Sequence, residues 1–259
     1  MATDREAILR EIAKKKAVLT LPGMDDVRVH GTTYDTGYEH LAMDIYYPAT
    51  IAPAPVVVIA LGYPDPPGQC RVYGPLTSWA RLLAASGMAA VIYATNECAA
   101  NIPALVKHLR ANADALQLDD SRIGVFAESA NVSVALSALM RDASLKCATL
   151  VTGFTMDLDG STTVADAAKQ YMFVDACAGK SVDDLPDSVP MLFIRAGREW
   201  FPGLNDALDL VVARAIARNL PVTLVNHATG AHGFDMDENN ELSREMIRRV
   251  LGFLAFHLK

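Results

Sequence analysis

The chain has 259 residues, of which 51% are hydrophobic and 20% charged, with a formal net charge of −7. That length holds one large α/β domain or two small ones around a substantial core. The acidic balance, with no Lys/Arg cluster beyond Lys14-Lys15-Lys16, argues against a nucleic-acid partner.

Residues 1–16 are charged and helix-like, predicting a helix at roughly 4–16 whose lysines share a solvated face with Glu6 and Glu11. They lack the apolar core and small-residue cleavage site of a secretory signal. No stretch approaches the ~18 apolar residues of a membrane span, so no membrane partner is expected and cytoplasmic residence is the default. Cys70, Cys98, Cys147 and Cys177 show no Cys-x-x-Cys spacing. They are expected to be free and buried, with neither a zinc site nor a disulfide framework.

Residues 27–29 and 41–47 read as strands, the second alternating apolar with small or polar residues, and suggest an antiparallel start. From Pro55 onward come short, nearly unbroken apolar runs at 56–60, 88–93, 123–127, 147–152, 191–196 and 222–225. Strands apolar on both faces belong to a parallel sheet covered by helices on each side. Helical spacing fills the gaps at roughly 76–86, 102–117, 131–143, 204–218 and 240–257, the last with Leu242, Met246, Val250, Leu251 and Leu254 on one stripe. This alternation predicts a single doubly wound α/β domain over 1–259. Only 153–190 breaks the rhythm, with many Asp residues and an apolar patch at Tyr171-Met172-Phe173-Val174. It is expected to form a small lid, a pocket wall or a plain surface excursion.

In an open parallel sheet, ligands bind beyond the carboxyl ends of the strands. Three such ends carry chemistry. The run 123–127 leads through Glu128 to Ser129 and straight into an Ala-rich helical pattern, so the serine stands on a strand-to-helix turn where a base can reach it. The pattern Gly-x-Ser-x-Gly usual for that turn is altered, with Ala127 and Asn131 at the glycine positions. Read alone, this stretch favours a buried serine capping a helix. After 191–196 comes Gly197-Arg198-Glu199, and after 222–225 comes the loop His227-Ala228-Thr229-Gly230-Ala231-His232-Gly233-Phe234.

A serine hydroxyl is a weak nucleophile until an imidazole takes its proton, and the imidazole needs a carboxylate to fix its tautomer. Ser129, Glu199 and His232 are therefore the candidate nucleophile, acid and base. Glu199 competes with Asp206 and Asp209, both inside the next predicted helix, and with a plain surface pairing to Arg195 or Arg198. His227 ends a strand and is expected to bond within the scaffold, whereas His232 lies in a glycine-flanked loop. His30, His40, His108 and His257 fall elsewhere. The oxyanion of a carbonyl addition needs preorganised N–H donors. Candidates are the N–H of Ala130 and the turn Leu61-Gly62-Tyr63, where Gly62 permits a tight turn and Tyr63 can donate. Leu61, Tyr171, Phe173, Trp200 and Phe201 are the expected pocket residues and favour an apolar acyl or alcohol group. The charge of Glu128 is expected either to act on a nearby histidine or to face solvent.

With these residues in this order, the chain resembles the α/β-hydrolase superfamily, and His232-Gly233-Phe234 is similar to the dienelactone-hydrolase-like branch. The resemblance spans roughly 27–258 and implies an eight-stranded, mostly parallel sheet with helices on both faces. It also implies Ser129 as nucleophile, Glu199 as acid and His232 as base, hydrolysing esters or lactones through an acyl-enzyme with no metal or organic cofactor. Besides Ala127 and Asn131, Glu199 stands where Asp is commoner, and the serine departs from the cysteine of dienelactone hydrolases proper. The leading expectation is a cytoplasmic serine esterase of small carboxylic esters. The alternatives are a catalytically inactive ligand-binding protein of the same fold, or a thioesterase, lactonase or peptidase on the same triad.

Overall fold

The computed structural model describes residues 11–49, 52–65 and 67–259. Most of the helix expected at 4–16 lies outside them; within them only residues 11 and 12 are helical. The centre of the molecule is an eight-stranded sheet: β1 (Arg28–Asp35), β2 (His40–Tyr47), β3 (Ala54–Ile59), β4 (Ala89–Tyr93), β5 (Leu118–Glu128), β6 (Ala148–Val151), β7 (Met191–Arg198) and β8 (Val222–Ala231). Their order across the sheet is β1-β2-β4-β3-β5-β6-β7-β8. The β1–β2 hairpin and the β2–β4 pairing are antiparallel, and every pairing from β4 to β8 is parallel.

Every residue of β3, β4 and β6 is buried. Such strands can exist only where helices cover both faces of the sheet, because solvent on either side would demand polar alternation. The covering helices are α1 (Gly74–Ala85), α2 (Cys98–Ala111), α3 (Val132–Arg141), α4 (Thr163–Tyr171), α5 (Leu204–Ala217) and α6 (Glu241–His257). Val56, Val57, Val58, Leu82, Leu83, Ile102 and Leu105 are all fully buried, each aliphatic side chain contributing about 1.5–3 kcal/mol relative to exposure. No helix among the described residues is long and apolar enough to cross a membrane. All four cysteines are free; Cys70 is half-buried and the other three are buried.

The edges of several elements differ from the sequence reading. β8 runs six residues past the apolar stretch because it is an edge strand with much of its length facing solvent, where polar residues belong. The helix expected at 102–117 begins at Cys98, stops at Ala111 and is followed by the single turn Ala113–Leu116, which ends on Gln117 at φ 55°. Its early start is held by Asn101, whose Oδ1 accepts hydrogen bonds from the Thr95 hydroxyl and the backbone N–H groups of Asn96 and Glu97. Pro103 lies inside this helix, only five residues past its start.

Candidate active site

β5 delivers Ser129 to the top of the sheet. Ser129 has φ 56°, the left-handed region that costs a residue with a Cβ roughly 1–2 kcal/mol, and a short 3₁₀ turn, Ser129–Asn131, leads into α3. The turn packs so tightly that neighbouring strands must yield space. A Cβ on Gly62 would meet the Ala130 carbonyl oxygen at 2.4 Å, and one on Gly153 would meet Val132 Cγ2 at 2.0 Å. Glycines that let residues 129–132 pack this closely are thus supplied by the segments after β3 and β6. Asn131 keeps ordinary helical angles, φ −82° and ψ −14°, so it is not there for unusual backbone geometry. Its side-chain oxygen instead accepts the Gly62 N–H at 2.6 Å.

That bond commits the Gly62 amide, and Gly62 serves the site by close approach rather than as a donor. Tyr63 follows at the rim, its ring edge-on to Phe173 at 6.4 Å between centroids. Ala130, in the middle of the turn, is buried.

His232 stands just past β8 and is followed by Gly233 at φ 73°, which turns the chain into the one-turn helix Phe234–Asp237. Its Nε2 lies 2.8 Å from Ser129 Oγ, and its Nδ1 lies 2.8 Å from Glu199 Oε2. The network assigns the tautomer: the serine hydroxyl donates to Nε2, and Nδ1–H donates to the carboxylate. The other oxygen of Glu199 accepts the backbone N–H groups of Trp200 and Phe201, each at 2.9 Å. The Glu199 side chain is 3% exposed and that of His232 is 11% exposed. A surface pairing of Glu199 with arginine does not form, because Arg195 pairs with Asp209 and Arg198 with Glu238. Asp206 sits in the first turn of α5. His227 is fully buried with Nε2 3.1 Å from the Ser243 hydroxyl, and desolvation holds its pKa below the usual value.

Aromatic rings gather beside this chain of hydrogen bonds. Phe201 presents its edge to His232 at 4.7 Å and Trp200 does so at 5.7 Å. Tyr171 meets Phe201 at 4.9 Å, and Phe173 stacks on Phe154 at 5.0 Å. Leu61 closes the end of β3 and is buried. Residues 153–190 therefore contribute Phe154, Tyr171 and Phe173 to the wall. They are stitched down by the Val174 N–H to the Gly62 carbonyl at 2.8 Å and by the Ser133 hydroxyl to the Val174 carbonyl at 3.0 Å. Phe154 was not singled out in the sequence. Its place just past the β6 run, the same sheet edge as Ser129, was the available signal.

Glu128 departs from both sequence expectations. It is buried, and its carboxyl is hydrogen-bonded to that of Asp235, which is fully buried. Burial first, and the Asp235 charge second, push the Glu128 carboxyl well above the usual carboxylate range. The indole N–H of Trp79 donates to Asp235 Oδ2 at 2.9 Å. Nothing in the local sequence marks Asp235, since it lies far from Glu128 along the chain, in the short helix past β8.

An open, mostly parallel sheet of eight strands, with a serine on the turn after β5 and an acid and a histidine after β7 and β8, is the α/β-hydrolase fold. Solved structures agree over the whole chain. A thermostable esterase from Pseudomonas putida superposes with a TM-score of 0.77 at 15% identity, covering 100% of this chain and 91% of that one. A hyperthermophilic esterase from the archaeon Pyrobaculum calidifontis gives 0.70 at 19% identity, with 99% and 92% covered. A thermophilic carboxylesterase cloned from a metagenomic library gives 0.71 at 16% identity, with 99% and 95% covered. No family model and no curated protein matches the sequence.

Proposed function

We propose that this chain is a serine hydrolase of small carboxylic esters. The observation that carries the reading is the unbroken relay from Ser129 Oγ to His232 Nε2 and from His232 Nδ1 to Glu199, each link 2.8 Å. In this reading Ser129 attacks the ester carbonyl while His232 takes its proton, and Glu199 holds the ring in the tautomer that leaves Nε2 open as acceptor. The Ala130 N–H, at the head of the turn into α3, and the Tyr63 N–H stabilise the oxyanion, each donor worth roughly 2.7–4 kcal/mol. His232 then returns the proton to the leaving alcohol. Water, activated by the same imidazole, releases the acid.

The rings of Phe154, Phe173 and Phe201 favour an apolar group next to the reacting carbonyl, with residues 153–190 acting as a pocket wall within a single catalytic domain. The fold alone would not license this function, which rests on three side chains and their geometry.

The test is hydrolysis of p-nitrophenyl acetate, butyrate and octanoate by the wild type, Ser129→Ala and His232→Ala, with fluorophosphonate labelling of Ser129. Turnover that vanishes in both variants supports the esterase. A wild type that neither turns over nor labels would leave a binding protein on a hydrolase scaffold, and turnover confined to thioesters, lactones or peptides would redirect the substrate class.

A further inference from the structure

Glu128 immediately precedes the nucleophile, and Asp235 lies three residues past the base. Their strands are not neighbours: β6 and β7 separate β5 from β8. The Ser129–His232 hydrogen bond therefore joins two segments whose spacing must be set by something besides itself.

A second tie between them exists. Trp79 of α1 packs its ring on Phe126 of β5 at 4.4 Å between centroids and donates its indole N–H to Asp235 Oδ2 at 2.9 Å. The Asp235 backbone carbonyl also accepts the Val18 N–H at 2.7 Å. Asp235 is thereby fixed from two sides, with its Oδ1 beyond the reach of any N–H or hydroxyl donor among the described residues. The group that does reach Asp235 is the Glu128 carboxyl. Two carboxyl groups can hydrogen-bond only if one of them carries a proton. The indole N–H favours the charge on Asp235 and so the proton on Glu128.

We propose that Glu128 and Asp235 hold one proton between them and clip the nucleophile's turn to the base's loop, making both of them positioning residues. This rests on the hydrolase reading only for its catalytic consequence. The ionisable groups facing the pair are His232 on the loop itself and the Tyr73 hydroxyl at the start of α1. The Lys15–Asp237 ion pair caps the exposed end of the same turn. Loss of the shared proton at alkaline pH leaves two buried carboxylates in contact, which repel and open the clip.

Two measurements test this. In an infrared difference spectrum of the wild type against Glu128→Gln at neutral pH, a protonated-carboxyl C=O band is expected in the wild type alone; its absence overturns the shared proton. In the second, the rate of Ser129 labelling by a fluorophosphonate is expected to fall about 10²-fold in Glu128→Ala, the scale of a misplaced reacting group. Glu128→Gln, whose amide can donate to Asp235, should recover that rate. Wild-type labelling in Glu128→Ala, or no recovery in Glu128→Gln, overturns the clip. Should Glu128→Ala fail to fold, the alkaline decline in labelling decides, since it must disappear in Glu128→Gln, which has no proton to lose. Persistence of the same decline overturns the proposal. A wild-type serine that never labels sinks the hydrolase reading, while the infrared band still decides the shared proton.

Discussion

Glu199 and Glu128 flank the same serine–histidine pair, both nearly or wholly buried, and they live in opposite chemical settings. Glu199 accepts from two backbone N–H groups and an imidazole N–H, while the Glu128 carboxyl meets another acid. A buried carboxylate is tolerable when donors surround it, and a buried carboxyl without them keeps its proton. The same residue type thus becomes an acceptor on one side of the site and a donor on the other.

The sharpest way to break that comparison is to remove what the two acids serve. Ser129→Ala and His232→Ala should each lower kcat by about 10⁶-fold on p-nitrophenyl acetate, and the double variant should lose little more, because the residues act as a unit. Next in size, Glu199→Gln keeps the shape but presents an amide to Nδ1. It should lower kcat about 10⁴-fold by favouring the wrong tautomer, with a thermal melt close to that of the wild type.

A smaller effect separates the acids by pH. The folded pKa of Glu128 is raised above its unfolded value, so the stability it contributes is fully present below the unfolded carboxylate range of about 4.3 and is lost as pH rises toward the folded value. Through that window one proton is worth up to about 1.4 kcal/mol per pH unit. Melting temperatures of the wild type should therefore fall from pH 5 to pH 8 relative to those of Glu128→Gln; parallel curves would refute the protonated carboxyl. Smallest is Asn131→Ala, which strands the Gly62 N–H beside the serine turn. It should cost about 1–3 kcal/mol in urea unfolding, and an unchanged midpoint would show that the bond contributes nothing.

The sheet was legible because its strands are apolar on both faces: 56–60, 88–93, 123–127, 147–152 and 191–196 each coincide with a strand or its apolar core. The candidate site residues came from reading the segment beyond each run, which brought out Ser129, Glu199 and His232, the three side chains that the fold brings within hydrogen-bonding distance. Less legible were the features that need a neighbour. The close packing of Gly62 and Gly153 on the serine turn is invisible along the chain, since each glycine packs against residues far away in sequence. The start of α2 at Cys98 rests on hydrogen bonds to Asn101, which apolar spacing does not register. The meaning of Glu128 reversed once Asp235 was found against it.

Of the chain's two tryptophans, Trp79 is 1% exposed within the core, and Trp200 is 62% exposed at the mouth of the site against His232. The protein thus carries its own optical gauge. Acrylamide reaches one indole and not the other, so occupancy of the site can be followed without a label, as protection of Trp200 emission over a constant signal from Trp79.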